Sequence, residues 1–164
     1  MSVTLTLTSN ITAVETLETN VPAASTANKK ITHDQFNSVQ SLTAATTPPV
    51  TKVAAFQQAL TAGAATIDLE NLTGTNGATV VGTGLRVQAM KVRNPSTNAN
   101  EITIAEGAAN GYDGFGSGFS ATLEPGAEAT FFTNDGGTDI SATNSDLDIS
   151  GTSTQALDVE IVLG

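Results

Sequence analysis

The sequence predicts a mainly β protein, an antiparallel β-sandwich or jelly-roll-like domain, and three observations predict it. Apolar and polar residues alternate with a period of two in segment after segment, as in Ile67 and Leu69 against Asp68 and Glu70. Turn-forming pairs such as Asn76-Gly77, Asn110-Gly111 and Pro125-Gly126 separate those segments, and helical patterns do not. Thr is frequent and alternates with Val and Leu, which suits a pleated, half-wet surface. Strands joined by turns, each with one buried face, fit two stacked antiparallel sheets.

Val3, Leu5 and Leu7 against Thr4, Thr6 and Thr8 make the first strand, and residues 11–19 are placed to pair with it across Ser9-Asn10. Residues 21–28 are small, polar and Pro-containing, and read as a linker or extended arm. A boundary is drawn there: residues 1–28 form an N-terminal strand or arm, and 29–164 a single sandwich domain. Residues 29–65 admit two readings. Thr32-His33-Asp34-Gln35 has the form of a capping box, with Phe36 and Val39 following at helical spacing. Val53, Phe56 and Leu60 then fall at i, i+3 and i+7, which predicts one short helix at 52–61, stopped by Gly63. The rival reading is a pair of strands, because Ser, Thr and Asn crowd the region.

From residue 64 onward the pattern is β. Residues 85–93 make a strand stopped by Asn94-Pro95, and Ile102 and Ile104 share the inward face of the next. A glycine-rich loop spans 107–118; Phe119, Ala121 and Leu123 form a further inward face, and residues 127–133 another strand. Leu147 and Ile149 alternate with Asp146 and Asp148, and the chain closes on Leu157, Val159, Ile161 and Leu163. A final strand that apolar belongs in a central or well-covered place.

Composition narrows the function classes. With no Trp, one Tyr (Tyr112) and six Phe, the core rests on small and branched side chains. Each buried Val, Leu or Ile contributes about 1.5–3 kcal/mol, and Ala less, so association with further copies is an expected supplement. A formal charge of −10 with six basic residues repels phosphate backbones and anionic lipid heads, so neither nucleic acid nor membrane is an expected direct partner. The absence of Cys excludes disulfides, thiol catalysis and Cys-based zinc sites. The N-terminal residues have neither a basic region nor a continuous apolar run, and no stretch approaches eighteen apolar residues, so a soluble product of the cytoplasm is expected.

No catalytic constellation emerges, and no enzyme activity, metal or cofactor is expected. His33 and Asp34 are neighbours in sequence and would point apart in a strand, and neither accompanies a recognisable nucleophile. The loop Gly111-Tyr112-Asp113-Gly114-Phe115-Gly116-Ser117-Gly118 matches neither phosphate-binding glycine pattern, and Ser117 sits in no nucleophile elbow. Asp135 to Asp139 and Asp146-Leu147-Asp148 lack the spacing of a calcium loop. Lys91 and Arg93 share one strand face, a small basic spot rather than a nucleic-acid footprint. What remains are contact surfaces. Val3, Leu5 and Leu7 on the first strand, and Tyr112, Phe115 and Phe119 in the glycine loop, are the candidate interface; the loop aromatics have core packing as their alternative.

The runs LRVQAMKVRN (85–94), NANEITI (98–104), the glycine loop, LEPG (123–126) and the closing LDVEIVLG (157–164) together resemble small β-sandwich structural proteins of tailed-phage and prophage particles, the decoration, head-associated and tail-associated proteins. The resemblance covers about residues 64–164 and rests on style and strand order, and no functional residue carries over by position. It implies a bacteriophage virion or capsid component, made in the host cytoplasm, whose partners are copies of itself (a homo-oligomer) and other particle structural proteins. Two other classes are weighed beside it: a carbohydrate- or receptor-binding β-sandwich module, and an extracellular filament or surface-layer subunit. The lack of Trp counts against a sugar platform.

Overall fold

In the computed structural model, residues 2–17, 29–134 and 137–164 are described, and all their regular structure is β. The chain divides into two compact units, Leu5–Ser41 and the body Leu42–Gly164 with Met1–Thr4. The expected linker at 21–28, and with it the boundary drawn at 28, lies outside the described residues.

The described residues of Leu5–Ser41 form a two-stranded ribbon. The chain runs out through β1 (Thr4–Ser9) and β2 (Ala13–Leu17) and returns through β3 (Lys29–His33) and β4 (Ser38–Thr43). β1 pairs with β4, and β2 pairs antiparallel with β3 in the register Ala13 to His33 and Glu15 to Ile31. This corrects the expected pairing of residues 11–19 with the first strand. Asn10-Ile11-Thr12 does not reverse the chain, because the Asn37 side chain ties it to the returning strand: Ile11 N–H donates to Asn37 Oδ1 at 2.7 Å, and Asn37 Nδ2 donates to Thr12 Oγ1 at 3.3 Å. The capping-box reading of residues 32–35 is corrected as well. His33 ends a strand, and a turn follows in which Asn37 N–H donates to Asp34 O at 3.1 Å.

The body holds β5 (Lys52–Ala59), β6 (Ala64–Asp68), β7 (Asn71–Thr73), β8 (Thr79–Val81) and β9 (Val87–Arg93), followed by β10 (Ile102–Glu106), β11 (Ser120–Leu123), β12 (Glu128–Phe132), β13 (Asp146–Ser150) and β14 (Ala156–Leu163). Four strands form a first sheet in the order β12-β9-β14-β5, and four a second in the order β11-β10-β13-β6. All these pairings are antiparallel. β7 and β8 make a separate hairpin around Asn76-Gly77, where Gly77 takes φ +78° and Gly74 N–H donates to Ala78 O.

The helix expected at 52–61 is absent, and β5 stands in its place. Ala and Gln favour a helix locally, but Lys52–Ala59 meets an apolar partner strand far away in sequence and pairs with β14 along its whole length. Ala54 lies opposite Ile161 and Phe56 opposite Val159, so the helical spacing of Val53, Phe56 and Leu60 has no bearing on which side is buried.

One core cluster takes side chains from both sheets: Met90, Val92, Leu157, Val159 and Ile161 from the first, and Ile67, Ile102, Ile104, Leu123, Leu147 and Ile149 from the second. The crossing from β9 to β10 is held by a buried polar side chain. Asn94 donates to Asn100 O at 3.1 Å and Leu123 O at 2.8 Å, and its own Oδ1 accepts from Asn98 Nδ2 at 2.7 Å. Such an amide satisfies itself by closing the turn it starts, which is why the Asn-Pro stop and the Asn98–Asn100 turn belong together.

Candidate functional site

The glycine loop between β10 and β11 divides its aromatic residues between core and surface. Tyr112 is fully buried, and its hydroxyl is satisfied on both sides: it accepts from Val87 N–H at 3.1 Å and donates to Thr138 O at 3.0 Å. Burial pushes the phenol above its ordinary value of 10.0, against the lowering effect of the Val87 hydrogen bond. Gly114 lies against this ring. A Cβ there would stand 2.3 Å from Tyr112 Cζ, so the close approach requires glycine.

Phe115 and Phe119 are half-buried and pack against the core. They stack at 4.9 Å between centroids, and Phe131 of β12 meets them at 5.7 and 5.1 Å. A cleft of about 720 Å³ opens beside them, lined by Gly114, Phe115, Gly116, Phe119 and Ser120 on one side and by Thr130, Phe131, Phe132 and Thr133 on the other. Its walls include β11 and β12, one edge strand from each sheet. Edge strands present backbone donors and acceptors without a neighbour, and here they flank an aromatic hollow. Glu106 fixes the rim by accepting from Gly118 N–H at 2.6 Å.

The ribbon exposes apolar side chains of a different kind. Ile11 is 82% exposed, Val14 59%, Val39 65% and Phe36 96%. Leu5 and Leu7 are half-buried, and among the described side chains of Leu5–Ser41 none is fully buried. Thr4, Thr6 and Thr8 face solvent. His33 reaches Glu15, with Nε2 3.4 Å from Oε2 across the ribbon. Ile11 and Phe36 line a hollow of about 300 Å³ with Ala13, His33 and Asp34.

The basic spot on β9 is neutralised by its neighbours. Lys91 Nζ lies 3.1 Å from Glu128 of β12. Arg93 donates through Nε and Nη2 to Asp158 Oδ2 of β14, at 3.0 and 2.6 Å, while Gln57 donates to Oδ1 at 2.9 Å. The Gln57 hydrogen bond, and after it Arg93, holds the Asp158 carboxyl below its ordinary 3.8. The stabilisation from Asp158 is therefore complete above pH 3.8 and fades as pH falls through the lower folded-state value. Asp158→Asn is expected to cost no more than about 1 kcal/mol at neutral pH, and to flatten that acid limb of a thermal-melt series.

Among the described residues, no group of three His, Asp or Glu side chains is arranged to hold a metal, and no helix is long and apolar enough to cross a membrane. Asp139 pairs with Arg86 at 2.6 Å, and Asp148 accepts from Thr66 Oγ1 and Ala108 N–H. Asp135 lies outside the described residues.

Of the sequence candidates, Tyr112, Phe115 and Phe119 come together, with Tyr112 inside and the two Phe at the cleft. Val3, Leu5 and Leu7 lie at the other end of the chain, Val3 half-buried like its two neighbours. Sequence reasoning missed Phe131 as the fourth member of the aromatic group and Phe36 as a solvent-facing knob. Phe131 was legible as a strand residue, but its partners come from a loop with no period. No family model, curated protein or solved structure matches this chain.

Proposed function

We propose that the chain is a non-catalytic virion structural protein that assembles in many copies on or in a phage-like particle. The observation that carries this reading is the ribbon Leu5–Ser41, which leaves Ile11, Val14, Ile31, Phe36 and Val39 facing solvent. Two-stranded ribbons are marginal in water without something to pack against, and these side chains need a covering surface. We also read the body as a jelly-roll β-sandwich. Numbered along the chain without the β7–β8 hairpin, its strands run 1-8-3-6 in one sheet and 2-7-4-5 in the other, the jelly-roll order, and one core cluster draws on both sheets. Capsid and lectin domains both use that architecture. The lectin-like alternative draws on the aromatic cleft.

Its partners on this reading are further copies and other particle proteins, and the charge of −10 argues against direct contact with nucleic acid or an anionic membrane. Light scattering on the eluting protein tests it. Masses at multiples of 16.6 kDa that grow with concentration are expected. A protomer mass at every concentration, with selective retention on a glycan array, would replace it with the sugar-binding alternative.

A further inference from the structure

We propose that the ribbon of one copy docks on the body of the next, with Phe36 seated in the cleft between β11 and β12; the occupant of the cleft is a second copy of this chain. This rests on the assembly reading above and names the surfaces it uses.

The knob is presented in a fixed geometry. Phe36 is 96% exposed, yet its turn is closed by Asn37 N–H to Asp34 O, and the Asn37 side chain holds Ile11 and Thr12. An exposed aromatic on a hydrogen-bonded turn loses little freedom on docking, which is what an anchor residue requires. The receptor is chemically matched. Phe115, Phe119, Phe131 and Phe132 line an open hollow of about 720 Å³, large enough for an aromatic side chain and its neighbours. The strands on either side are sheet edges, so a ribbon strand lying along one can add to its sheet while the side chain enters the cleft.

Charge opposes this pairing less than it opposes body against body. Thirteen of the sixteen carboxylates and four of the six basic residues belong to the body, which leaves it at −9, whereas Leu5–Ser41 stands at −1 and carries the basic pair Lys29-Lys30. The body's own cations are committed: Lys91 to Glu128, Arg93 to Asp158, Arg86 to Asp139, and Lys52 to Val81 O. Body against body would set two strongly acidic surfaces together. Ribbon against body sets a nearly neutral unit against the acidic one and avoids most of that repulsion. Because donor and receptor are different surfaces, the contact either closes reciprocally in a pair or repeats head-to-tail into a ring or an open array.

The chain has no Cys, so engineered thiols report the contact directly. Phe36→Cys protein is mixed with Ser120→Cys protein under mild oxidation; Ser120 lines the cleft and is exposed. A mixed disulfide dimer is expected, well above that formed with Thr66→Cys, which lies on β6 at the opposite edge of the same sheet. Phe36→Ser, at a position too exposed to affect folding, is expected to weaken self-association by about 30-fold, the loss typical of a central aromatic anchor. If the unmodified protein associates but Phe36→Cys couples equally to both partners, this docking is wrong and the assembly reading survives. If the unmodified protein never exceeds its protomer mass, both are wrong.

Discussion

Deleting residues 157–164 is expected to abolish soluble folding. β14 lies between β5 and β9 and pairs with both along most of its length, so its loss leaves two strands of that sheet without a shared neighbour. Leu157, Val159, Ile161, Val162 and Leu163 are all buried. At about 1.5–3 kcal/mol each, their removal takes roughly 8–15 kcal/mol, comparable with the whole net stability of about 5–15 kcal/mol typical of a domain. Gly164 adds a backbone clasp, exchanging hydrogen bonds with Arg86 at 3.0 and 3.1 Å. Soluble yield and circular dichroism of the truncated chain measure the effect. A soluble chain that melts cooperatively would show that the first sheet closes without its central strand.

The second large effect is expected at Tyr112. Tyr112→Ala removes a fully buried ring on which Gly114 rests, and is expected to cost about 3–5 kcal/mol. Tyr112→Phe keeps the ring but leaves Val87 N–H and Thr138 O without their partner, for about 1–3 kcal/mol. The residue also sets an alkaline limit. A phenol whose folded value is raised above 10.0 contributes its full share below that pH and loses it as pH rises through the folded-state value. Tyr112 is the chain's one Tyr and there is no Trp, so tyrosinate absorbance follows this group alone. It is expected to titrate above 10.0 in the folded protein and near 10.0 in denaturant, and the Phe variant is expected to be less sensitive to alkali. Titration at the ordinary value in the folded protein would mean that the loop is open.

These residues also show what local sequence can and cannot reveal. Most strands after residue 64 were legible because they have one wetter and one drier face, and a period of two writes that face directly into the chain; β9, buried on both faces over Val87–Met90, is the exception. β5 was legible only as one of two readings, since its Ala-rich and Gln-rich stretch suits a helix until β14, about a hundred residues later, supplies a ladder. The same holds for the first strand. Its alternation was plain, but its partner is β4 rather than the neighbouring segment, and only a non-local contact decides that.

The candidate site divides along the same line. Glycine and aromatic residues marked the loop as a place of special packing, yet nothing local separates Tyr112, inside, from Phe115 and Phe119 at the cleft. Lys91 and Arg93 were correctly set on one face, while the carboxylates that neutralise them come from β12 and β14. The ribbon was the least legible. Val14, Ile31 and Val39 look like core residues in sequence, and their exposure reflects what no single strand encodes, the lack of a covering layer within the described chain.

Hydrogen exchange read by mass spectrometry, at dilute and at assembling concentrations, tests the central claim most directly. The account predicts that amides of residues 5–17 and 29–41 exchange fast when dilute and slow sharply on association, together with those of 115–132, while β14 is slow throughout. A ribbon that is equally protected at both concentrations, or equally unprotected, would contradict a chain that completes its fold on its neighbours.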